Sequence, residues 1–299
     1  MTIATLLPLA IKISLTLAVL ALGLKASPDD ALYLFRRPGQ LARALLSMDI
    51  VVPLIAVGLA AGFAFDPPVK IALVTVALAP LPATFSKKPL KAGGKVSYTV
   101  GLFVAVTLVA VVYIPFALSL LARATGIAMQ MSASAVWSLV FLSLLSPLVA
   151  GGVIHQLAPA FAERAAKPVA HVADVLLLIA IIPILFKVLP VVYSLVGNGT
   201  VLAMVVLAVL ALVTGHLLGG PEPEDRTVLA LASAVRHPGI AIAIAHLNFP
   251  DQKLATAAIV LYVLVSAIAS APYMKWVASR RSRAIGKAAT AQSPAIASR

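Results

Sequence analysis

Between Lys95 and Arg123 the chain runs for 27 residues without one charged side chain. As a helix this stretch would be about 40 Å long at 1.5 Å per residue. That exceeds the roughly 30 Å hydrocarbon core of a bilayer. Residues 124–162 and 188–221 are equally free of Asp, Glu, Lys and Arg. With 62% hydrophobic and 11% charged residues, a soluble domain of this length would have to be nearly all core. The chain is therefore expected to be a polytopic integral membrane protein.

Nine spans are predicted, all helical: Thr2–Leu24, Ile50–Phe65, Val69–Thr84, Val96–Leu121, Ser134–Leu157, Val172–Leu189, Val201–Leu218, Thr227–Leu247 and Leu254–Val277. Alternate loops then collect 17 of the 23 Lys and Arg residues on one side, against four on the other. Basic loops stay cytoplasmic, so the prediction is a multi-pass protein of the cell (inner) membrane. Its N-terminus lies outside and its C-terminus in the cytoplasm. Residues 1–277 read as a single transmembrane domain. Residues 278–299 read as a basic, disordered cytoplasmic tail. The first apolar stretch lacks a basic leader and is interrupted by Lys12, so it reads as a retained span rather than a signal peptide.

Several function classes fall away. The net charge of +13 is dispersed among loops, which argues against nucleic acid as a partner. There is no cysteine, hence no disulfide or thiolate chemistry. No HExxH, GxSxG or paired-acid motif is present, so neither an enzyme nor a metal or other cofactor site is expected.

Two spans carry breaks. "VKIALVTVALAPLP" (Val69 to Pro82) and "DRTVLALASAVRHP" (Asp225 to Pro238) share one pattern: an early cation, about ten apolar residues, then a proline-containing break. They begin spans that run in opposite directions, the signature of an inverted repeat in a secondary transporter. A proline leaves a helix carbonyl without its donor. Within a bilayer such a group must be satisfied by protein or by a watery cavity. Arg236, His237, Pro238 and Gly239 at the second break, with Pro82, Thr84 and Ser86 at the first, are accordingly the candidate substrate-binding residues. Thr99 is a further polar position near them.

These residues resemble the bile acid:sodium symporter (BASS) superfamily. "GLKASPDDALYLFRRP" (Gly23 to Pro38) is similar to that family's first inner loop. "LAPLPATFSKKPLKAGGKVS" (Leu78 to Ser97) and "ALASAVRHPGIAIAIA" (Ala230 to Ala245) are similar to its two broken helices. The resemblance implies an all-α integral membrane fold of inverted repeats whose broken helices cross at mid-membrane. Nine spans correspond to members that lack the first helix. A panel domain would comprise the spans within 2–24, 134–157 and 172–189. A core would comprise those within 50–121 and 201–277, with substrate between the two. Sodium-coupled members carry a glutamate in the second broken helix, followed four and five residues later by glutamine and asparagine. This sequence has Ala232, Arg236 and His237 in those places, and Phe85-Ser86 where a Ser-Asn pair is usual in the first. An arginine offers five donors, no acceptor and a permanent charge, so sodium coupling becomes doubtful.

A buried cation at mid-membrane costs at least about 2.5–3.5 kcal/mol and needs a partner. All ten acidic residues fall in predicted loops or near span ends. Three readings of Arg236 stay open. It donates to carbonyls freed by the breaks, as a built-in cation in place of sodium. It binds an anionic substrate, helped by the positive end of the half-helix beginning at Pro238. Or it pairs with Asp49 or Asp174. His237 reads as a backbone cap before a proton carrier, because a neighbouring fixed charge disfavours its protonation. The sequence thus points to a secondary active or facilitative transporter of a small or amphipathic organic anion, working by alternating access. A proton or sodium remains open as a coupling partner. The alternatives are a non-transporting receptor or scaffold on the same fold, and a sodium-coupled symporter with rearranged ion sites.

Overall fold

The computed structural model describes residues 3–82, 84–85, 87–126, 129, 131–195 and 197–292, and among these it contains helices and no strands. In chain order the helices are α1 (Ile3–Gly23), α2 (Pro28–Leu32), α3 (Pro38–Leu45), α4 (Val52–Gly62), α5 (Pro67–Leu78), α6 (Lys87–Lys91) and α7 (Val96–Thr125). There follow α8 (Ala133–Val140), α9 (Ser146–Leu157), α10 (Pro159–Ser194), α11 (Thr200–Leu218), α12 (Pro223–Ala234), α13 (Pro238–Asn248) and α14 (Leu254–Gln292). Two π-helical stretches, Leu46–Val51 and Phe141–Leu145, join α3 to α4 and α8 to α9. Among the described residues six helices are long and apolar enough to cross a membrane. Leu9–Gly23 and Pro67–Leu78 are shorter apolar helices.

The predicted spans differ from the helices in several places, the third among them: expected to reach Thr84, it is helical only to Leu78. The second was expected to start at Ile50, but a continuous helix runs from Pro38 to Gly62. Proline at the first helical position starts α3, and the π stretch carries the helix past Asp49 without interruption. The sixth was expected at Val172–Leu189, within the 36-residue α10. The last was expected to end at Val277, yet α14 continues to Gln292. The added sequence is rich in Ala, Arg and Lys, all strong helix formers.

Packing separates two groups. α1 lies against α9 and α10, which also touch each other. α1 and α9 approach closely through glycines: a Cβ added to Gly151 would stand 2.5 Å from the Leu20 carbonyl oxygen, and one on Gly23 would stand 2.3 Å from that of Leu148. Small residues permit such approaches between membrane helices. The second group brings α4, α5, α11, α12, α13 and α14 together. One buried core, including Leu73, Phe103 of α7, Met204, Leu229, Ile244 and Tyr262, runs through this group and continues to Val19 and Leu148 of the first. Large apolar side chains remain exposed on outer faces, among them Leu54, Val112, Phe116 and Leu217. Lipid takes up such faces in a membrane protein.

Candidate functional site

Both breaks follow from one steric rule. A residue before proline is pushed out of the α region. Ala79, which precedes Pro80, is extended (φ −72°, ψ 143°) and ends α5. His237, which precedes Pro238, is extended (φ −76°, ψ 105°) and separates α12 from α13. Val235 is extended too, at φ −102° and ψ 121°. Three residues, Val235 to His237, thus separate α12 from α13, whereas the first break opens after Leu78 and the next helix begins only at Lys87.

The breaks meet and satisfy each other's backbone. The His237 N–H donates to the Pro80 carbonyl at 2.8 Å. Arg236, only 3% exposed, donates from Nη1 to the Ala79 carbonyl at 3.3 Å. Its Nε donates to Ser233 O at 3.2 Å. Its Nη2 donates to Met48 O at 2.7 Å. Tyr262, on α14, closes the remaining side by donating to Ala234 O at 3.0 Å.

The Met48 contact has a cause in the sequence. In the π stretch the hydrogen bonds run five residues back, as from the Val52 N–H to Ser47 O. In that register the partner of Met48 O would be residue 53, which is proline and has no N–H. Pro53 therefore leaves the carbonyl that Arg236 takes. Beside it, the Ser47 and Ser233 hydroxyls are buried and 2.8 Å apart, which pins the π stretch to the end of α12.

Of the two carboxylates named as possible partners of Arg236, Asp49 is the one that acts on it. It lies on the continuous helix, and its Oδ2 atom is buried without a hydrogen-bond partner. It interacts electrostatically with Arg236, although no Arg236–Asp49 ion pair forms within 4.0 Å. Reading the span as beginning at Ile50 placed this residue in a loop. Asp49 and Tyr113 face a crevice of about 380 Å³ that is otherwise apolar, reaching Leu78 at the end of α5. Asp225, unlike the half-buried Asp49, is a fully buried carboxylate, and Gln40 Nε2 donates to it at 3.2 Å.

The remaining predicted residues divide. His237 is 6% exposed, and its Nδ1 accepts from the Ile240 N–H at 3.3 Å, capping α13. Pro238 is the first residue of α13 and half-buried, whereas Gly239 is exposed. The open part of the second break is therefore the first turn of α13. Pro82 is buried and its carbonyl accepts from the Phe85 N–H; Thr84 is half-buried in the following turn. Ser86 lies outside the described residues. Thr99 is buried on the first turn of α7, its hydroxyl donating to Lys95 O at 2.7 Å. That hydroxyl serves its own helix. The sequence reading named Asp49 as one possible partner of Arg236 but did not single out Met48, Ser47, Ser233 and Tyr262. It also missed Thr107, whose buried hydroxyl has no hydrogen-bond partner.

Sodium would need several oxygen ligands and negative charge close by. Here the carbonyls of Met48, Ala79, Pro80 and Ser233 already accept N–H groups, and a guanidinium occupies the space between them. The donor set of the crossing does not fit the ion. Among the described residues no group of three or more His, Asp or Glu side chains could hold a metal.

Among the described residues, six apolar helices of membrane-crossing length, one of them interrupted where it meets the end of the shorter α5, define a helical multi-pass membrane protein. The chain belongs to the sodium bile acid symporter family, whose model matches residues 12–189. That family consists of transporters and not enzymes. The match contains the first break, and the second is tied to it by the hydrogen bonds above. No curated protein matches the chain.

Proposed function

We propose that this protein is a secondary transporter of a small or amphipathic organic anion, with Arg236 standing as a fixed cation in place of sodium. The observation that carries this reading is the seat of the guanidinium: buried, between the two breaks, and bonded to carbonyls of three segments. Three of its five N–H groups are used there, and its charge is only partly balanced by Asp49. A fixed cation next to the exposed first turn of α13 favours an anion, since the N-terminal end of a helix is itself positive. Substrate would meet Pro238 and Gly239 first. Arg236 would act on it through charge, and Thr84 and Ser86 would supply polar groups from the other break.

Alternating access needs two bodies that rock against each other. The packing supports a panel of α1, α8–α9 and α10, and a core of the other long helices, in nine crossings. The concentration of basic residues on alternate loops supports a cytoplasmic side there and an N-terminus outside. Thr99 has a positioning role on this view, because its hydroxyl is engaged by its helix.

The test is uptake of labelled carboxylates and sulfonates by purified protein in liposomes. Arg236→Gln should abolish uptake of the anion that wild type carries while leaving the protein folded. No flux of any such anion through wild-type protein would favour the receptor or scaffold reading instead.

A further inference from the structure

A cavity of about 360 Å³ opens where the start of α12, the turn after α6 and the last membrane turns of α14 meet. Three arginines line it: Arg226, Arg280 and Arg281, together with His216, Glu224 and Trp276. Each guanidinium has a built seat. Arg226 donates from Nε to Gly220 O at 2.5 Å, and its backbone lies so close to Gly219 that an added Cβ would sit 2.4 Å from its Cα. Arg280 stacks on the Trp276 ring at 4.4 Å. Arg281 fills a notch over Gly93, where a Cβ would collide with its Nη1 at 1.8 Å. Gly93 has φ +88°, in the region that favours glycine.

The cationic groups are not neutralised. Among the described residues the one ion pair joins Arg36 to Asp29, away from this cavity. Glu224 is the single carboxylate in the lining, against three guanidiniums. Arg226 is anchored through Nε and Arg280 through its face, and neither forms an ion pair within 4.0 Å with Glu224. Arg226 and Arg280 both act electrostatically on His216, which places three nitrogen-bearing groups around one space. Planar guanidiniums in this arrangement match the oxygens of a phosphate.

The cavity lies at the end of the membrane helices. Trp276 and Tyr273 pack against His216, and Trp276 stays 40% exposed. Aromatic rings of this kind sit at headgroup level. Beside His216 on α11, Leu217 is 74% exposed and Val213 lies one turn further into the membrane, also exposed. An acyl chain could run along that face while its headgroup enters the cavity. We propose that this cavity binds the phosphate of an anionic phospholipid in the leaflet on the basic side of the membrane.

The test uses full-length protein in detergent, with phosphatidylglycerol, phosphatidylcholine or inorganic phosphate added, read as the unfolding midpoint and Trp fluorescence. Phosphatidylglycerol should raise the midpoint, and phosphatidylcholine should not. The double variant R280Q/R281Q should weaken the response by about tenfold or more. Lys275→Gln, an exposed charge on the same helix, should leave it within about twofold. If the double variant does not fold, R281Q alone carries the test, because its side chain is exposed. A full response to inorganic phosphate alone would overturn the lipid assignment in favour of a soluble anion. An equal response to phosphatidylcholine, or an equal loss in K275Q, would overturn the site itself.

Discussion

Arg236→Lys separates the charge of the arginine from its reach. Both side chains cost a similar amount to bury at mid-membrane, about 2.5–3.5 kcal/mol, so that cost largely cancels in the exchange. The geometry does not cancel. Arg236 reaches Ser233 O, Ala79 O and Met48 O from three different nitrogens. An ammonium presents its donors at one point and keeps at most one of these bonds. A side-chain hydrogen bond within a membrane protein contributes about 0.6 kcal/mol on average and at most about 1.7. Losing two therefore destabilises the protein by roughly 1–3.5 kcal/mol. At about 2–4 °C per kcal/mol for a chain approaching this size, the unfolding midpoint should drop by a few to about 14 °C. Thermal unfolding in detergent, followed by tryptophan fluorescence, reads this directly. A midpoint within about 1 °C of wild type would refute the claim that the guanidinium holds the two breaks together.

Three further perturbations probe the surroundings. Ser233→Ala removes the partner of the Ser47 hydroxyl, 2.8 Å away and buried, and should lower stability by about 0.6–1.7 kcal/mol in the same assay. Gly151→Ala puts a Cβ 2.5 Å from the Leu20 carbonyl oxygen, forcing α1 and α9 apart at a cost of about 1–3 kcal/mol; an unchanged midpoint would contradict the close glycine contact. Asp30 makes a capping box with Ser27, accepting from its N–H at 3.0 Å and its hydroxyl at 2.8 Å. Burial opposes ionisation of Asp30, but hydrogen bonds from Ser97 and Ser27 outweigh it and hold its pKa below the ordinary value. A depressed carboxylate contributes stability that is present above its unfolded pKa and lost as pH falls through the folded one. Asp30→Asn should thus lower the midpoint at pH 7 by the equivalent of about 1 kcal/mol and converge with wild type below about pH 3.

Much of the architecture is legible from two features of the sequence. Long charge-free runs point to membrane helices. Proline disfavours helical geometry in the residue before it, which agrees with breaks at Ala79 and His237, although Pro115, Pro168, Pro183, Pro190 and Pro272 lie within helices that continue. The family match over residues 12–189 agrees with the resemblance read from the first inner loop and the first break. What stayed hidden has a common physical reason. The partners of Arg236 are backbone carbonyls, which every residue type supplies, so no residue letter announces them. One clue was present: Pro53 silences a donor five residues after Met48, but it acts only in a π register, which residue spacing does not reveal. Asp49 was legible as a possible partner of Arg236, but not its place inside a helix, since a span is expected to stop before an acidic residue rather than enclose one. Thr99 was singled out as a hydroxyl near the first break, yet the fold uses it to satisfy Lys95 O.

The central claim is that a resident guanidinium replaces a sodium ion where the breaks meet. Initial rates of organic-anion uptake into proteoliposomes, with external sodium replaced by potassium or choline at constant ionic strength, test it most directly. The account predicts the same rate in all three salts; a rate that rises steeply with sodium and collapses in choline would contradict it.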